Sequence, residues 1–375
     1  MSFLLNEEQA LLSDSARTFL SDQSPVSRQR ELRDTGAPLG FSPELWAEAV
    51  ELGWTAAVLP ESAGGLDVGY AGVGAIFDAM GRHLASLPLL SHTVLAGELI
   101  SRSGDVQQQA RWLPLVLSGE QRIALALDES QLHLPAGAFK TSARAHADGW
   151  ILNGDKWFVI DGIGARWFIV AASLEGSDDT TLFMVDSEAD GVSVQALRMA
   201  DSRNHARVTL DQVQLPGDSR LASGEALDAL EAALDRARVC LAAEAHGIVR
   251  EAFERTVAYL KERVQFDVAI GSFQALQHRV ARLYAEIELL DSCVRGALAA
   301  IDANDPELPV LASLAKAKAS DLCEKVLNEA VQLHGGIGVT DEFDLGLFLK
   351  RARVIQQSLG DALFHRDRYA RLKGF

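Results

Sequence analysis

Apolar positions recur at three- and four-residue spacing through the first third of the chain, and that period predicts helices. Ser42-Pro43-Glu44 opens one of them, with a capping hydroxyl and then proline at the first helical position. It runs through Leu45, Trp46, Ala49 and Val50 and ends near Gly53. Leu95 to Leu117 also favours helix, with breaks around Gly104 and Pro114. After Gly119 the texture changes to short runs rich in β-branched and aromatic residues. These are Arg122–Leu127, Trp150–Leu152, Lys156–Ile160, Trp167–Ala171, Thr181–Asp186, Val192–Leu197 and Ala206–Leu215, with Asp148-Gly149 and Asn153-Gly154 as tight-turn pairs. Short strands without intervening helices predict an antiparallel barrel or sandwich rather than a parallel sheet. From Glu225 the helical period returns. Glu225–Arg263 reads as one long helix with Gly247 as its break signal, followed by Phe273–Ala300, Pro309–Leu333 and Leu345–Leu372. Short connections between long helices predict an antiparallel four-helix bundle. The expected class is therefore α+β, with helices over 1–118, a β domain over 119–220 and a helical bundle over 221–375.

Composition narrows the function. A chain of 375 residues with 48% hydrophobic and 23% charged positions buries a core without staples. The formal net charge of −17 argues against a nucleic-acid or anionic-membrane partner, both of which need basic surface. An anionic ligand in a local basic pocket is still compatible with it. Cys240, Cys293 and Cys323 each fall in a helical stretch with no zinc-like spacing, so no metal site is expected. Reduced thiols, and the lack of a basic-then-apolar leader in Met1-Ser2-Phe3-Leu4-Leu5-Asn6-Glu7-Glu8, point to a cytoplasmic protein. No apolar run is long enough to span a membrane.

Four stretches carry candidate chemistry. Pro60-Glu61-Ser62-Ala63-Gly64-Gly65 closes the early helices. Arg263-Val264-Gln265-Phe266, then Gly271-Ser272-Phe273-Gln274, ends the long helix and starts the next. Gln332-Leu333-His334-Gly335-Gly336-Ile337-Gly338 ends a bundle helix, and Leu359-Gly360-Asp361-Ala362, then His365-Arg366, falls within or interrupts the last one. Gly335 and Gly336 either let a ligand approach the backbone or simply stop the helix. Arg263 is either a phosphate clamp or a solvated helix-end charge.

Together, in this order and spacing, the four stretches resemble the acyl-CoA dehydrogenase family over nearly the whole chain. The resemblance implies FAD as cofactor and α,β-dehydrogenation of an acyl-CoA thioester, with a carboxylate taking the α-proton and the flavin taking the β-hydride. It implies a helical domain, a β-barrel and a four-helix bundle. It also implies an electron-transfer flavoprotein as acceptor, and FAD shared across a subunit interface. On that reading Arg263, Gln265, Phe266, Gln274, Gln332, His334, Gly335 and Gly336 hold a neighbour's FAD.

The chain departs from the family on the flavin-ring side. Asp128-Glu129-Ser130-Gln131-Leu132-His133-Leu134 stands where the family has Thr-Glu-Pro and a Gly/Ser loop. Lys156-Trp157-Phe158-Val159-Ile160-Asp161 replaces Lys-x-Trp-x-Thr-Asn. Asp128 and Phe158 therefore become the candidate flavin contacts. A one-residue strand shift flips a side chain to the other face, so Trp157 is not expected to substitute for the family's indole.

Both usual positions of the base lack an acid. Leu359 replaces the C-terminal glutamate, and Ala237 precedes Arg238, which matches the family's arginine on the long helix. Glu244 lies seven residues after Ala237, about 10 Å along the same helical face and among small or apolar neighbours. It is the first candidate base, unless it is a buried acid paired with an arginine. Asp361 is the second, unless it is a cap. These losses resemble bacterial members acting on sterol and bile-acid side chains, several of which are α2β2 assemblies of two related chains. Two readings remain open: a catalytic homo-oligomer with a relocated base, or a partner subunit completing FAD sites on another chain.

Overall fold

The computed structural model describes residues 5–375 except 131, 132, 134–136, 138, 178 and 222–224. Helices lead: α1 (Glu7–Gln23), α2 (Val26–Thr35), α3 (Pro43–Glu51), α4 (Tyr70–His83), a π-helical stretch Leu90–Gly97 running into α5 (Glu98–Ser103), and α6 (Val106–Ser118). Their starts are chemically explicit. Asn6 and Gln9 cap α1 reciprocally, Asp105 and Gln108 do the same for α6, and the Ser42 hydroxyl accepts from the Leu45 N–H. The expected break at Gly104 is present. Pro114 lies inside α6 without ending it, because the capping box and the left-handed Gly119 fix both ends.

The elements form two compact units. One comprises the described residues of Met1–Glu31, Gly69–Ala85 and Arg238–Phe375; the other comprises Leu32–Val68 and Ser86–Ala237.

The second unit holds β1 (Ile123–Ala126), β2 (Ser142–His146), β3 (Gly149–Ile160), β4 (Trp167–Leu174), β5 (Thr180–Asp186), β6 (Val192–Ala196) and β7 (His205–Pro216) in one sheet. The order is β1-β4-β2-β3-β7-β6, with β5 also on β4. The sheet is mixed rather than purely antiparallel. β1 and β2 are short and lie one after the other along one edge of β4, both parallel to it. Asn153-Gly154 is not a turn. β3 runs straight through it with a bulge, and a β-carbon at Gly154 would lie 2.4 Å from Thr141 Oγ1. Glycine here marks a close approach between β3 and the Thr141 segment that leads into β2. Leu152, Phe168, Phe183, Val185 and Val208 fill the core.

α7 (Ala226–Glu262) is unbroken at Gly247. A β-carbon there would sit 2.0 Å from the Asp78 carbonyl oxygen, and one at Gly81 would sit 2.0 Å from that of Glu244. α4 and α7 thus touch backbone to backbone, and Gly247 serves packing. Past α7 come a small hairpin of β8 (Val264–Gln265) and β9 (Val268–Ala269), then α8 (Gln274–Asp302) and α9 (Leu308–His334), which pack together. The expected single helix over Leu345–Leu372 is two, α10 (Leu345–Gln357) and α11 (Ala362–Lys373), both packed on α9. Left-handed Leu359 (φ 54) and Gly360 (φ 106) separate them, and Asp361 caps α11.

Candidate functional site

Two of the candidate stretches meet at the far end of α7. The hairpin turn is made by Phe266 (φ 53) and Asp267 (φ 63), and the Phe266 ring is 85% exposed, edge-on to Phe273 at 6.1 Å. The Arg263 side chain is exposed and forms no ion pair among the described residues. Gln265 turns its amide onto its neighbour's carbonyl, and Gln274 begins α8. Tyr259, one turn before Arg263, stacks on His334 with ring centres 4.4 Å apart and donates its hydroxyl to the His334 carbonyl at 3.3 Å. That contact ties the Arg263–Gln274 stretch to the end of α9. There Gln332 is exposed and Gly335 turns left-handed (φ 64), and neither Gly335 nor Gly336 has any neighbour where a β-carbon would stand. His334 itself is buried and donates Nδ1–H to the Ala330 carbonyl. It is therefore part of the support, while the carboxamides and the guanidinium face outward.

The middle of α7 is built the opposite way. Glu244 is 1% exposed, and Arg351 grips both of its oxygens, Nε on Oε1 and Nη2 on Oε2, each at 2.7 Å. Of the two readings of Glu244, candidate base or buried acid paired with an arginine, this geometry matches the pair, since Arg351 engages both carboxylate oxygens. Arg238 is fully buried and donates Nε–H to the Leu359 carbonyl at 3.2 Å. His365 Nε2 donates to the same carbonyl, and Lys316 Nζ donates to that of Gly360 at 2.8 Å. Burial, with the Arg238 charge adding to it, brings the Lys316 ammonium down to about 7. Burial and the neighbouring Lys316 and Arg238 charges push His365 to about 2, so its ring is neutral. Three donors thus fix the Leu359-Gly360 turn. Asp361 then caps α11 with Oδ1 on the Phe364 N–H at 2.8 Å, while its Oδ2 makes no hydrogen bond among the described residues.

On the sheet, Asp128 accepts from Trp157 N–H through its carbonyl at 2.7 Å and pairs with His133 through its carboxylate at 2.8 Å. Gln131, Leu132 and Leu134 of this stretch lie outside the described residues. Buried Lys156 reaches Glu129 at 2.8 Å and the Leu127 carbonyl at 3.1 Å; burial, partly offset by Glu129, brings its ammonium down to about 8. Between Lys156 and Val159 the pairing with β7 slips by one residue, and Phe158 takes a left-handed conformation (φ 51). The bulge breaks strict alternation at this point, so the parity argument against Trp157 does not apply. Both rings are half-buried, with Trp157 under the Arg207 guanidinium at 4.5 Å.

Sequence reasoning missed Arg351 and Lys316, while His365 stood in the last of the candidate stretches without a role given to it. The only early signal was a set of basic side chains in otherwise apolar helix faces.

The family models described as acyl-CoA dehydrogenase N-terminal, middle and C-terminal domains match residues 6–120, 124–213 and 226–372. The chain belongs to the acyl-CoA dehydrogenase family. It is accordingly a flavoprotein oxidoreductase of the class that oxidises the CH–CH bond of an acyl-CoA with FAD. It is 29% identical over 362 residues to acyl-CoA dehydrogenase FadE12 of Mycobacterium tuberculosis, covering 94% of this chain and 92% of that one. A solved chain of the ChsE4-ChsE5 complex from Mycobacterium tuberculosis is 26% identical with a TM-score of 0.90, covering 100% of both chains. A chain of a variant of the Tcur3481-Tcur3483 steroid ACAD is 32% identical with a TM-score of 0.87, covering 99% of this chain and 98% of that one.

Proposed function

We propose that this chain carries out α,β-dehydrogenation of a bulky, ring-bearing acyl-CoA, within an oligomer in which the Arg263–Gln274 and Gln332–Gly336 stretches hold a neighbouring subunit's FAD. The observation that carries this reading is the outward-facing donor set tied together by the Tyr259–His334 stack. One unpaired guanidinium, the carboxamides of Gln265, Gln274 and Gln332, and an open glycine turn suit a dinucleotide: the cation and amides for its diphosphate, the exposed Phe266 ring for its base. Asp128 and Phe158 are the proposed contacts on the flavin-ring side. Bound FAD supplies the two-electron oxidant for the CH–CH bond.

The proton step falls to Asp361 rather than Glu244, because Asp361 keeps one carboxylate oxygen open while Arg351 closes both of Glu244's. Arg238, Lys316 and His365 act through the Leu359-Gly360 turn and set where Asp361 stands. The resemblance to chains of the ChsE4-ChsE5 complex and of a steroid ACAD supports a ring-bearing acyl group and a paralogous partner. An electron-transfer flavoprotein is the proposed acceptor.

One observation favours a second reading, in which this chain completes the FAD site of another chain and does no chemistry itself. Both positions where the family carries its base hold apolar residues, Ala237 and Leu359, at 0% and 5% exposure, while the clamp is intact. The deciding experiment is anaerobic flavin bleaching by an acyl-CoA bearing a steroid ring system. The wild-type protein bleaches, and Asp361→Asn keeps its flavin while bleaching at least about a hundredfold more slowly, the range of a lost general base. Equal rates would remove Asp361 from the mechanism.

A further inference from the structure

The turn that carries Gly335 and Gly336 is held on both sides along the chain. Before it, the His334 ring contacts Tyr259 and Phe343, with ring centres 4.4 and 4.7 Å away. After it, Thr340 closes back on the Ile337 carbonyl, through its hydroxyl at 2.8 Å and its N–H at 3.1 Å. The chain then passes Asp341 and Asp344 and enters α10.

Asp344 stands at the N-cap of α10, where an aspartate ordinarily accepts from the first free N–H groups of its own helix. It makes no such bond. Its oxygens go to arginines from two other elements. Oδ1 accepts from Arg30 Nη2 of α2 at 2.9 Å, and Oδ2 accepts from Arg255 Nη1 of α7 at 3.2 Å. The same Arg30 guanidinium donates from Nη1 to Asp341, to its carbonyl at 2.5 Å and to its carboxylate at 3.2 Å. One planar fork thus spans two residues of a short segment, which a point charge could not do. Arg255 is braced in turn by Glu251, Nε to Oε1 at 2.8 Å. Asp344 forgoes a local bond for two distant ones, so it sets where the segment lies against α2 and α7 rather than how α10 starts.

We propose that Arg30 is a positioning residue for the cofactor clamp: acting through Asp341 and Asp344, it fixes the Gln332–Gly336 stretch for a neighbouring subunit's FAD. The proposal rests on the reading of that stretch as a FAD clamp. Gly335 and Gly336 have open space where a β-carbon would stand, so nothing packs on that side of the turn and the bonds behind it decide where its backbone faces. Arg30 works on this arm of the clamp, and Arg263 belongs to the other.

The test measures flavin release on dilution from the purified, FAD-loaded oligomer. Arg30→Met and Asp344→Asn each speed release about fivefold, a coupling of the size carried within one hydrogen-bonded network. Asparagine caps a helix as well as aspartate does, so a role confined to starting α10 predicts no effect of Asp344→Asn. Arg250, whose partners are Glu288 at 2.6 Å and the Tyr284 ring, supplies the control: Arg250→Met breaks an ion pair elsewhere on α7 and leaves release unchanged. Double variants then locate the effect. Arg30→Met adds in full to Arg263→Ala but adds less to Gln332→Ala, whereas general loosening of the fold adds equally to both. Wild-type release in Arg30→Met and Asp344→Asn while Arg263→Ala sheds its flavin, an equal loss in Arg250→Met, or equal addition in the two backgrounds each overturn the proposal. Full flavin retention in Arg263→Ala and Gln332→Ala as well would show that the clamp reading itself has failed, and the proposal falls with it.

Discussion

Arginine is used in opposite ways along α7. At its far end Arg263 is exposed and unpaired among the described residues, beside carboxamides and a glycine turn that also face outward. In its middle Arg238 is fully buried on a carbonyl, and Glu244, two turns further on, is closed by Arg351. The physical difference is satisfaction. Buried charge persists only where partners neutralise it, so such a group is committed to the fold. A guanidinium left in solvent costs little and keeps its donors for a ligand. Family resemblance alone marks both regions as functional; hydrogen-bond accounting separates them.

The largest effect should come from the closed region. Glu244→Gln leaves Arg351 buried without its counter-charge and should lower unfolding stability by about 3–5 kcal/mol, read by urea denaturation. Normal stability with lost turnover would break the comparison and return Glu244 to the role of base. A smaller effect belongs to the open region. Arg263→Ala removes one charge-assisted contact and should weaken FAD retention by about tenfold, measured by flavin release on dilution, with the melting of the apoprotein unchanged. A full flavin complement in that variant would make Arg263 an ordinary surface charge.

How much of this was legible depended on range. The Arg263 and Gln332 stretches were readable because each is a contiguous motif at a helix end. The 37-residue α7 was readable because its helical period never lapses. Glu244 could be read as buried from its small neighbours, but Arg351 stands 107 positions away and no local pattern connects the two. Asp78 and His246 are separated by 168 positions and meet only because Gly81 and Gly247 let α4 and α7 touch. β2, Ser-Ala-Arg-Ala-His, went unread because it holds no β-branched or large apolar residue and is mostly exposed, so its alternation is between polar side chains and alanine only. Asn153-Gly154 misled because a hairpin glycine and a bulge glycine look alike within two residues.

The smallest of the predicted effects sharpens the picture of the closed region. Lys316 holds its proton to about 7 when folded but to near its ordinary value of 10.5 when unfolded. Between those values the unfolded chain binds the extra proton, so stability rises with pH across that window. Lys316→Met should flatten the rise between pH 7 and pH 10 in denaturant titrations. An unchanged slope would mean that Lys316 is not the group buried in this way.

The central claim is that this chain is itself an FAD enzyme of the acyl-CoA dehydrogenase family. Flavin absorbance against protein concentration, on the purified chain expressed without any paralogue, tests it most directly. The expected result is one FAD for each chain, in an oligomer with no monomer at micromolar concentration. Protein that is folded but colourless would contradict it and leave the chain as the partner that completes another subunit's site.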